Sequence, residues 1–444
     1  MAIILTKEEA KKIIDKVLSY SKSDEMSVNL SGGRTGNIRY ARNSVSTSGE
    51  STNLSLGVTS VYGKRSGTAT INEFDDASLE KTVRRAEEIA KLAPENPEYM
   101  PMLGPQTYLN TDPYSENTAK MDPNFRAQAT FESLDPCRKK NLTAAGYMED
   151  STRFNAIGNT KGLFAYNRET SVEFSITVRT ADGMGSGYAT QDVTDVSKLS
   201  TKNMTEIAMQ KAMASSSARA LEPGKYTVIL EPAALVSNVD ASLMVALVRS
   251  MDARNADEGR SFLSKKGGGT RLGEKLFDER VTIYSDPTNL EVPNGAFSGD
   301  GRPQEKVTWI EKGVVKNMPY SRYWAEKKGV HATPAGGNFI MEGGTQSLAD
   351  MIKSTEKGIL VTRLWYIRPV DPQTLLYTGL TRDGTFYIEN GQIKFPVKNF
   401  RFNESPVIML NNLEAMGKPV RIGGNLVPPL KIRDFTFTSL SDAV

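Results

Sequence analysis

The sequence predicts an α+β protein: an N-terminal domain with a duplicated strands-plus-helix α/β unit, followed by a mostly antiparallel β domain that is barrel-like or a sandwich and has few helices. Two observations support this class. Strand-like segments followed by an amphipathic helix occur twice in the first half, and β-type segments separated by turn sequences dominate the second half. The chain has 444 residues, more than usually fold around a single hydrophobic core. We therefore expect two domains, at residues 1–221 and 222–444.

The first half begins with a helix, because Thr6 and Glu9 have the spacing of a capping box. Strand-like segments follow at MSVNLSGG, GNIRYARNSV, STNLSLGVTSVYGKR and GTATI, and then comes the amphipathic helix DDASLEKTVRRAEEIAKLA. The same order recurs, and RSGTAT at Arg65–Thr70 corresponds to GSGYAT at Gly185–Thr190, 120 residues later. This internal repeat predicts a duplicated unit.

The segment between the two units is predicted to be a connector. Residues 94–136 contain seven of the 21 prolines, and proline both lacks an amide donor and restricts the residue before it. We expect a short helix inside the connector at NFRAQATFESL. Cys137 follows in a loop-like stretch, SLDPCRKKN, and is expected to be an incidental free thiol because it is the only cysteine.

The second half opens with the strand-like EPGKYTVILEP, and a helix is expected from about Ala233 to Met251. Most of the remaining sequence is of the β type. Asn390-Gly391 and Lys312-Gly313 each stand between strand-like segments and predict hairpin turns, since a type I′ turn needs positive φ at both positions.

Composition excludes several classes of function. The chain has 55 basic and 52 acidic residues, a net charge of +3, and only short basic pairs, so we expect no nucleic-acid partner. No apolar stretch approaches the ~20 residues that a membrane helix requires, and the N-terminus does not have the pattern of a signal peptide. We expect a cytoplasmic protein without contact to membranes.

His331 is the only histidine of the chain. Zinc enzymes commonly use two or three histidine ligands, and serine or cysteine hydrolases need a histidine base. We therefore expect no metal and no cofactor. Two alternatives stay open: a hydrolase that uses His331, and a cation site built from Asp252, Asp257 and Glu258. A loop histidine and solvated acids after a helix end are the simpler interpretations.

Several motifs in succession resemble the TldD/PmbA family over nearly the whole chain. They include GNTKG, EPGKYTVIL, the run EGRSFL to RLGEKLFDERVTIYSDP, SGDGRP, TPAGGN, YIENGQIKFPV and the closing PPLKIRDFTFTSL. The resemblance implies a peptidase system. In the TldD branch, a helix of the second domain carries H-E-x-x-x-H, and a cysteine near the C-terminus completes a zinc site.

In this sequence the H-E-x-x-x-H positions correspond to Met244, Val245 and Arg249, and the cysteine region reads VRIGGNLVPP. A thioether next to a guanidinium is a poor zinc site, and valine cannot accept a proton. The chain thus resembles the TldE (PmbA) branch, whose members pair with a metal-binding TldD-like homologue. The resemblance implies a non-catalytic subunit of a zinc metallopeptidase complex that degrades or processes unfolded peptides.

We expect substrate contacts at Asp252, Gly336, Gly337 and Asn338, the polar loop after the degenerate helix and the TPAGGN segment. Two other functions are carried as alternatives: a stand-alone homodimeric protein that binds or assembles peptides, and a metal-independent peptidase. An older name of the family refers to modulation of DNA gyrase. The nearly equal numbers of basic and acidic residues do not indicate direct binding to DNA.

Overall fold

The computed structural model describes residues 4–237 and 241–441, and these residues form the predicted α+β architecture. At its start, Thr6 and Glu9 form the predicted capping box. The elements of the first half are α1 (Lys7–Ser19), β1 (Glu25–Ala41), β2 (Ser44–Tyr62), β3 (Arg65–Ile71), α2 (Asp76–Leu92), α3 (Glu116–Ala119), α4 (Pro123–Lys139), β4 (Thr143–Asn159), β5 (Phe164–Arg179), β6 (Ser186–Val193) and α5 (Thr201–Ser215), with a 3-10 turn at Val196–Lys198.

These strands form one antiparallel sheet in the order β3-β2-β1-β4-β5-β6. The two strands-plus-helix units meet at the β1–β4 pair. Gly67 of β3 and Gly187 of β6 lie against α2 and α5, where a Cβ would collide with the backbone of Ala90 and Ala208. The two glycines are 120 residues apart, the offset of the repeat, and the predicted duplication is confirmed.

The helices cover one face of this sheet, and the other face is polar. Val28 and Leu30 of β1 pack with Ile14 of α1 in an apolar cluster. Successive side chains of a strand point to opposite faces, so Ser31 and Gly33 belong to the face away from the helices. They line a polar cavity there.

The first long strand differs from the prediction of two strands at MSVNLSGG and GNIRYARNSV. β1 is continuous through its glycines, and the chain turns only at Arg42 and Asn43, which have φ of 50° and 60°. The reason is tertiary, because β1 pairs with β2 on one side and with β4 on the other along nearly its whole length. The guanidinium of Arg126 lies over Gly36, where a Cβ would come within 2.1 Å of Arg126 Nη1. Glycine at this position makes room for a side chain from another element.

The short helix predicted inside the connector at NFRAQATFESL is confirmed as α4, which is longer than predicted and forms most of the second part of the connector. Asp122 caps this helix by accepting a hydrogen bond from Phe125 N (2.9 Å), with Pro123 in the first turn. Cys137 is therefore not in a loop: it lies in the last turn, with no exposed surface. Burial raises the pKa of its thiol to about 11. Pro136 made the segment look irregular, although it lies inside α4.

The second half continues with many short strands. Its elements are β7 (Gly224–Leu230), α6 (Pro232–Leu235), α7 (Leu243–Arg249), α8 (Ala253–Asp257), β8 (Ile283–Ser285), β9 (Val307–Glu311), β10 (Val314–Val315), α9 (Arg322–Lys328), β11 (Ile340–Met341), α10 (Leu348–Lys353), β12 (Lys357–Val361), β13 (Leu364–Asp371), β14 (Leu376–Thr381), β15 (Thr385–Glu389), β16 (Gln392–Pro396), β17 (Phe400–Glu404), α11 (Pro406–Asn411), β18 (Leu413–Met416), β19 (Val420–Ile422), β20 (Asn425–Val427) and β21 (Leu430–Leu440).

Two sheets organise these strands. One has the order β13-β14-β17-β21-β7-β12-β15-β16, with β18 paired to β21, and the other has the order β10-β9-β8-β11-β20-β19. The pairs are antiparallel except β7–β12 and β11–β20. A large apolar core contains Trp309 of one sheet, Phe435 of the other and Leu247 of α7. The predicted β-rich second half is confirmed.

The two predicted hairpins of this half are confirmed. Asn390 and Gly391 join β15 to β16 with φ of 51° and 72°, and Lys312 and Gly313 join β9 to β10 with φ of 47° and 78°.

The long helix predicted from Ala233 to Met251 is wrong. It is divided into α6 and α7, and part of it, residues 238–240, lies outside the described residues. Val236 has an extended backbone, and the Ser242 hydroxyl accepts a hydrogen bond from Ser237 N at 2.8 Å. Serine side chains that bond locally to the backbone compete with helix formation, which explains the interruption.

Within residues 4–237 and 241–441, no helix combines the length and the apolar character needed to cross a membrane.

Candidate functional site

The helix that carries the predicted degenerate metal position, α7, is largely embedded in the second-half core. Met244 has no exposed surface, and Val245 packs against the same core at its margin. Arg249, five residues after Met244, is exposed to solvent. The side chains at the three positions therefore do not converge on one point.

The residues present do not fit the zinc ion that the family implies. Zinc takes thiolate, imidazole or carboxylate ligands, and these three positions offer a thioether, an alkyl group and a guanidinium. Elsewhere in the described ranges, no three histidine, cysteine, aspartate or glutamate side chains cluster closely enough to hold a metal ion. His331 is 69% exposed and contacts Glu305 at 2.9 Å.

The acidic residues after α7 have structural partners. Asp252 caps α8 by accepting a hydrogen bond from Asn255 N (2.8 Å). Asp257 accepts a hydrogen bond from Trp324 Nε1 at 2.8 Å. Glu258 pairs with Arg254 at 3.0 Å. The polar atoms of this loop thus stabilise the chain after the helix.

The TPAGGN segment is held by close contacts. Asn338 is only 4% exposed and donates a hydrogen bond to the Val292 carbonyl (2.6 Å). Gly336 and Gly337 are exposed, and a Cβ on Gly337 would meet the side chain of Asn294. Asn294 in turn borders the polar cavity on the sheet face. Contact of peptide with Asp252, Gly336, Gly337 or Asn338 stays a prediction.

That polar cavity has a volume of about 520 Å³. Its walls are mainly polar groups of β1, β2, β4 and β5, including Arg153, Asn155 and Glu169, and they are completed by Phe154 and by residues 294, 295 and 297. The buried Oδ1 of Asn155 has no hydrogen-bond partner among the described residues. The cavity thus offers many hydrogen-bonding groups beside two phenylalanine residues.

A larger cavity lies elsewhere, between the two halves of the chain, and no local sequence pattern indicated it. Its volume is about 920 Å³, within the range of ligand sites. We call it the β6 groove. It is lined by Asp112, residues 114–117, 188–195 and 198, Met204, Ile207, Lys211, residues 231–233, Leu290, Glu291, Pro293 and residues 420–422.

Two strand edges meet at the β6 groove, since β6 and β19 are each the last strand of a sheet. Asp192 joins them at one end: its carboxylate accepts hydrogen bonds from Arg421 Nε (2.8 Å) and from the N–H groups of Gly423 (2.6 Å) and Gly424 (3.0 Å). No local sequence pattern indicates this junction, because Asp192 and its partners are more than 220 positions apart in the chain.

Three consecutive family models match the chain. Residues 27–90 match domain 1 of the PmbA/TldA metallopeptidases, residues 124–216 match the central domain, and residues 223–439 match the C-terminal domain. The order and extent of these matches define the class, a metallopeptidase-related α+β protein. The chain belongs to the PmbA/TldD family.

Known relatives agree with this assignment along the full length. The metalloprotease PmbA of Escherichia coli O157:H7 is 23% identical over 465 residues, which cover 97% of this chain and 98% of the relative.

Two solved structures share the fold. A Thermotoga maritima protein described as a candidate modulator of a DNA gyrase has a TM-score of 0.86 at 16% identity, covering 97% of this chain and all of that chain (100%). TldE from Thermococcus kodakarensis has a TM-score of 0.83 at 17% identity, covering 97% and 99%. At such identities the likeness establishes the fold.

Proposed function

We propose that this chain is the non-catalytic subunit of a two-component zinc peptidase that acts on extended, unfolded peptides together with a metal-binding homologue of the TldD type. The observation that carries the proposal is α7. In a family of metallopeptidase-related proteins, Met244, Val245 and Arg249 supply neither a zinc ligand nor a general base. The subunit then contributes shape and peptide contacts, and the homologue contributes the metal.

The fold supports this role in two further ways. The likeness to TldE extends over nearly the whole of both chains, and the family resemblance pairs that branch with a metal-bearing partner. The β6 groove also combines a strand edge with a cavity, which suits a peptide that has no folded structure of its own.

The test begins with a pull-down from the native cell to identify an H-E-x-x-x-H homologue. The two purified proteins should co-elute, and an unstructured peptide should be cleaved only by their mixture, with loss of cleavage in the presence of a chelator. Replacing the glutamate of the homologue's motif should abolish cleavage. His331→Ala in this chain should leave the rate unchanged, since the proposal gives that side chain no chemical role.

Other outcomes would overturn the proposal. Stoichiometric zinc in this chain alone, with chelator-sensitive cleavage, would show that it is an enzyme by itself. A stable homodimer that neither binds the homologue nor changes its rate would favour the stand-alone peptide-binding protein.

A further inference from the structure

The floor of the polar cavity is a row of positions that crosses four strands. Asn53 of β2 lies opposite Gly33 of β1, and Gly33 lies opposite Arg153 of β4. Arg153 in turn lies opposite Glu169 of β5. Residues directly opposite each other in antiparallel strands have their side chains on the same face of the sheet. The row therefore has a gap at Gly33, between two polar side chains that line the cavity.

The aliphatic part of Arg153 occupies the space above Gly33. A Cβ on Gly33 would come within 3.0 Å of Arg153 Cγ, so this side chain leans toward β1 and away from β5. No ion pair joins Arg153 to Glu169 within residues 4–237 and 241–441, although the two residues lie opposite each other. The glycine thus allows a cation and an anion on neighbouring strands to remain apart.

The amide side chains of the cavity also lack partners in the protein. Asn53, Asn155 and Asn167 make no side-chain hydrogen bond to another residue in the two described ranges. The Oδ1 atom of Asn155 is buried as well, and a buried polar atom without a hydrogen bond costs free energy. The walls are therefore arranged for hydrogen bonds to a molecule that is not part of this chain.

The second half of the chain supplies another wall of the cavity. Gly295 lies so close to the sheet that a Cβ there would be 3.2 Å from Asn167 Nδ2. Phe297 lies beside it and packs edge-on against Tyr108, with ring centres 5.8 Å apart. The enclosed volume of about 520 Å³ is within the range of small-molecule sites.

The charges of the cavity indicate the class of ligand. Among the residues that line it, only Arg153 and Glu169 are charged. A guanidinium binds a carboxylate through two parallel hydrogen bonds, and a carboxylate binds an ammonium group through a charge-assisted hydrogen bond. A neutral ligand such as a sugar would remove water from both charges without replacing it by a counter-charge, which is unfavourable. A ligand with one charge of each sign satisfies both groups.

We propose that the polar cavity binds a small zwitterion of the amino-acid type, whose carboxylate pairs with Arg153 and whose ammonium group pairs with Glu169. Its side chain lies among Asn53, Asn155 and Asn167, which favours a polar side chain such as an amide. Free amino acids and dipeptides share this chemistry. The proposal requires neither a metal nor a partner subunit, so it goes beyond the proposed function and can fail independently of it.

The first test compares glutamine with two derivatives that each lack one charge. Isothermal titration calorimetry with the full-length chain should show binding of glutamine. N-acetylglutamine and glutamine amide should bind about tenfold more weakly, because each loses a charge-assisted hydrogen bond. Equal affinity for glutamine and the two blocked forms would overturn the proposal.

The dipeptide alanyl-glutamine distinguishes the two sources of the zwitterion. Tighter binding of the dipeptide than of glutamine would assign the cavity to short peptides, and the reverse order would assign it to free amino acids. If the wild type binds neither glutamine nor alanyl-glutamine, the proposed ligand class is wrong.

The second test combines each blocked ligand with the variant that lacks the matching group. Arg153→Gln should bind glutamine about tenfold more weakly than the wild type does, and it should bind glutamine amide as well as glutamine. Glu169→Gln should lose the preference for glutamine over N-acetylglutamine in the same way. A general disturbance of the sheet would not produce this matched pattern, so a loss of affinity without it would contradict the assigned contacts.

Arg39→Gln is the matched control. Arg39 is an exposed arginine of β1 that does not line the cavity. It lies on the same face of the sheet as Gly33, because the two positions are an even number of residues apart. This variant should bind glutamine like the wild type. An equal loss of glutamine binding in Arg39→Gln and Arg153→Gln would show that only the overall charge matters, and the site at Arg153 would be wrong.

Discussion

At the scale of single residues, the most deeply buried charges of the first half form one cluster. Arg126 of α4 is 1% exposed, and its Nη1 lies 2.5 Å from Oδ1 of Asp150, which has no exposed surface. Arg34 contacts the second oxygen of Asp150 at 3.2 Å. Burial raises the pKa of Asp150, and the two guanidinium groups act in the opposite direction. The pair fixes α4 to the sheet.

Asp150→Ala should lower the free energy of unfolding by about 3–5 kcal/mol, because it leaves a buried guanidinium without its main counterion. Asp15→Ala is the control: it breaks an exposed pair with Lys11 (2.6 Å), which we expect to contribute about 0–1 kcal/mol. Urea denaturation measures both values. Similar losses of unfolding free energy for the two variants would show that the buried cluster does not fix α4 to the sheet.

A second prediction at this scale concerns acid stability. Hydrogen bonds from Arg280 lower the pKa of Asp278 to about 2, below the ordinary value of about 4 for the unfolded chain. A lowered carboxyl pKa stabilises the fold above the unfolded pKa, and this contribution is lost as pH falls toward the folded pKa.

The stability difference between the wild type and Asp278→Asn should therefore be constant from pH 7 to about pH 5 and shrink below about pH 4. Urea denaturation of both proteins across this range measures the difference. A difference that does not change with pH would mean that the Asp278 charge makes no contribution to folding.

At the scale of elements, β1 shows how tertiary contacts decide the course of a strand. A sequence with Gly32, Gly33 and Gly36 reads as interrupted, yet the strand is continuous because it pairs with β2 on one side and β4 on the other. Gly36 reflects packing between α4 and the sheet, since Arg126 lies over it.

Gly36→Ala should destabilise the protein by about 1–3 kcal/mol, the usual effect of forcing an extra methyl group into a filled space. Gly49→Ala is a suitable control, because Gly49 lies on the neighbouring strand β2 and a Cβ there would have nothing within 4 Å. Thermal and urea unfolding of the two variants measure the contrast. Equal stability would contradict the assigned role of Gly36.

At the scale of the whole molecule, side chains from distant parts of the sequence join the two halves. Asp192 of β6 accepts three hydrogen bonds from residues 421–424, as described above. Ser186 Oγ donates to Asp383 at 2.6 Å, and the Arg363 guanidinium lies 3.8 Å from the centre of the Tyr188 ring. All three contacts use β6, so this strand is both a wall of the groove and a junction between the two halves.

Asp192→Ala should destabilise the fold by about 2–4 kcal/mol, because it removes the acceptor of several charge-assisted hydrogen bonds. Glu311→Ala, which breaks an exposed pair with Lys316 within the second half, should change stability by less than about 1 kcal/mol. Calorimetry is expected to show one transition for the wild type and broadened or separate transitions for Asp192→Ala.

The same variant tests the domain division, which stays a prediction. If the halves are units that meet at residues 221 and 222, limited proteolysis of Asp192→Ala should cut near that point and leave two resistant fragments. Resistance of this segment, with cleavage elsewhere, would place the boundary differently.

The sequence by itself determined features that depend on neighbouring residues. Turn chemistry predicted the hairpins at Asn390-Gly391 and Lys312-Gly313, the capping box predicted the start of α1, and the repeated order of patterns predicted the duplicated sheet. The chemical identity of Met244, Val245 and Arg249 likewise showed that this helix lacks zinc ligands, because side-chain chemistry does not depend on folding.

Only the tertiary structure decided the rest. The continuity of β1 depends on its pairing with neighbouring strands, and the burial of Cys137 depends on packing of α4. The predicted helix after Pro232 is divided where a local hydrogen bond to Ser242 competes with the helix. The β6 groove exists because β19 lines the same cavity as β6 and α5, although it lies more than 200 residues further along the chain. Local patterns carry no information on such contacts, since they arise when distant elements bury a common surface.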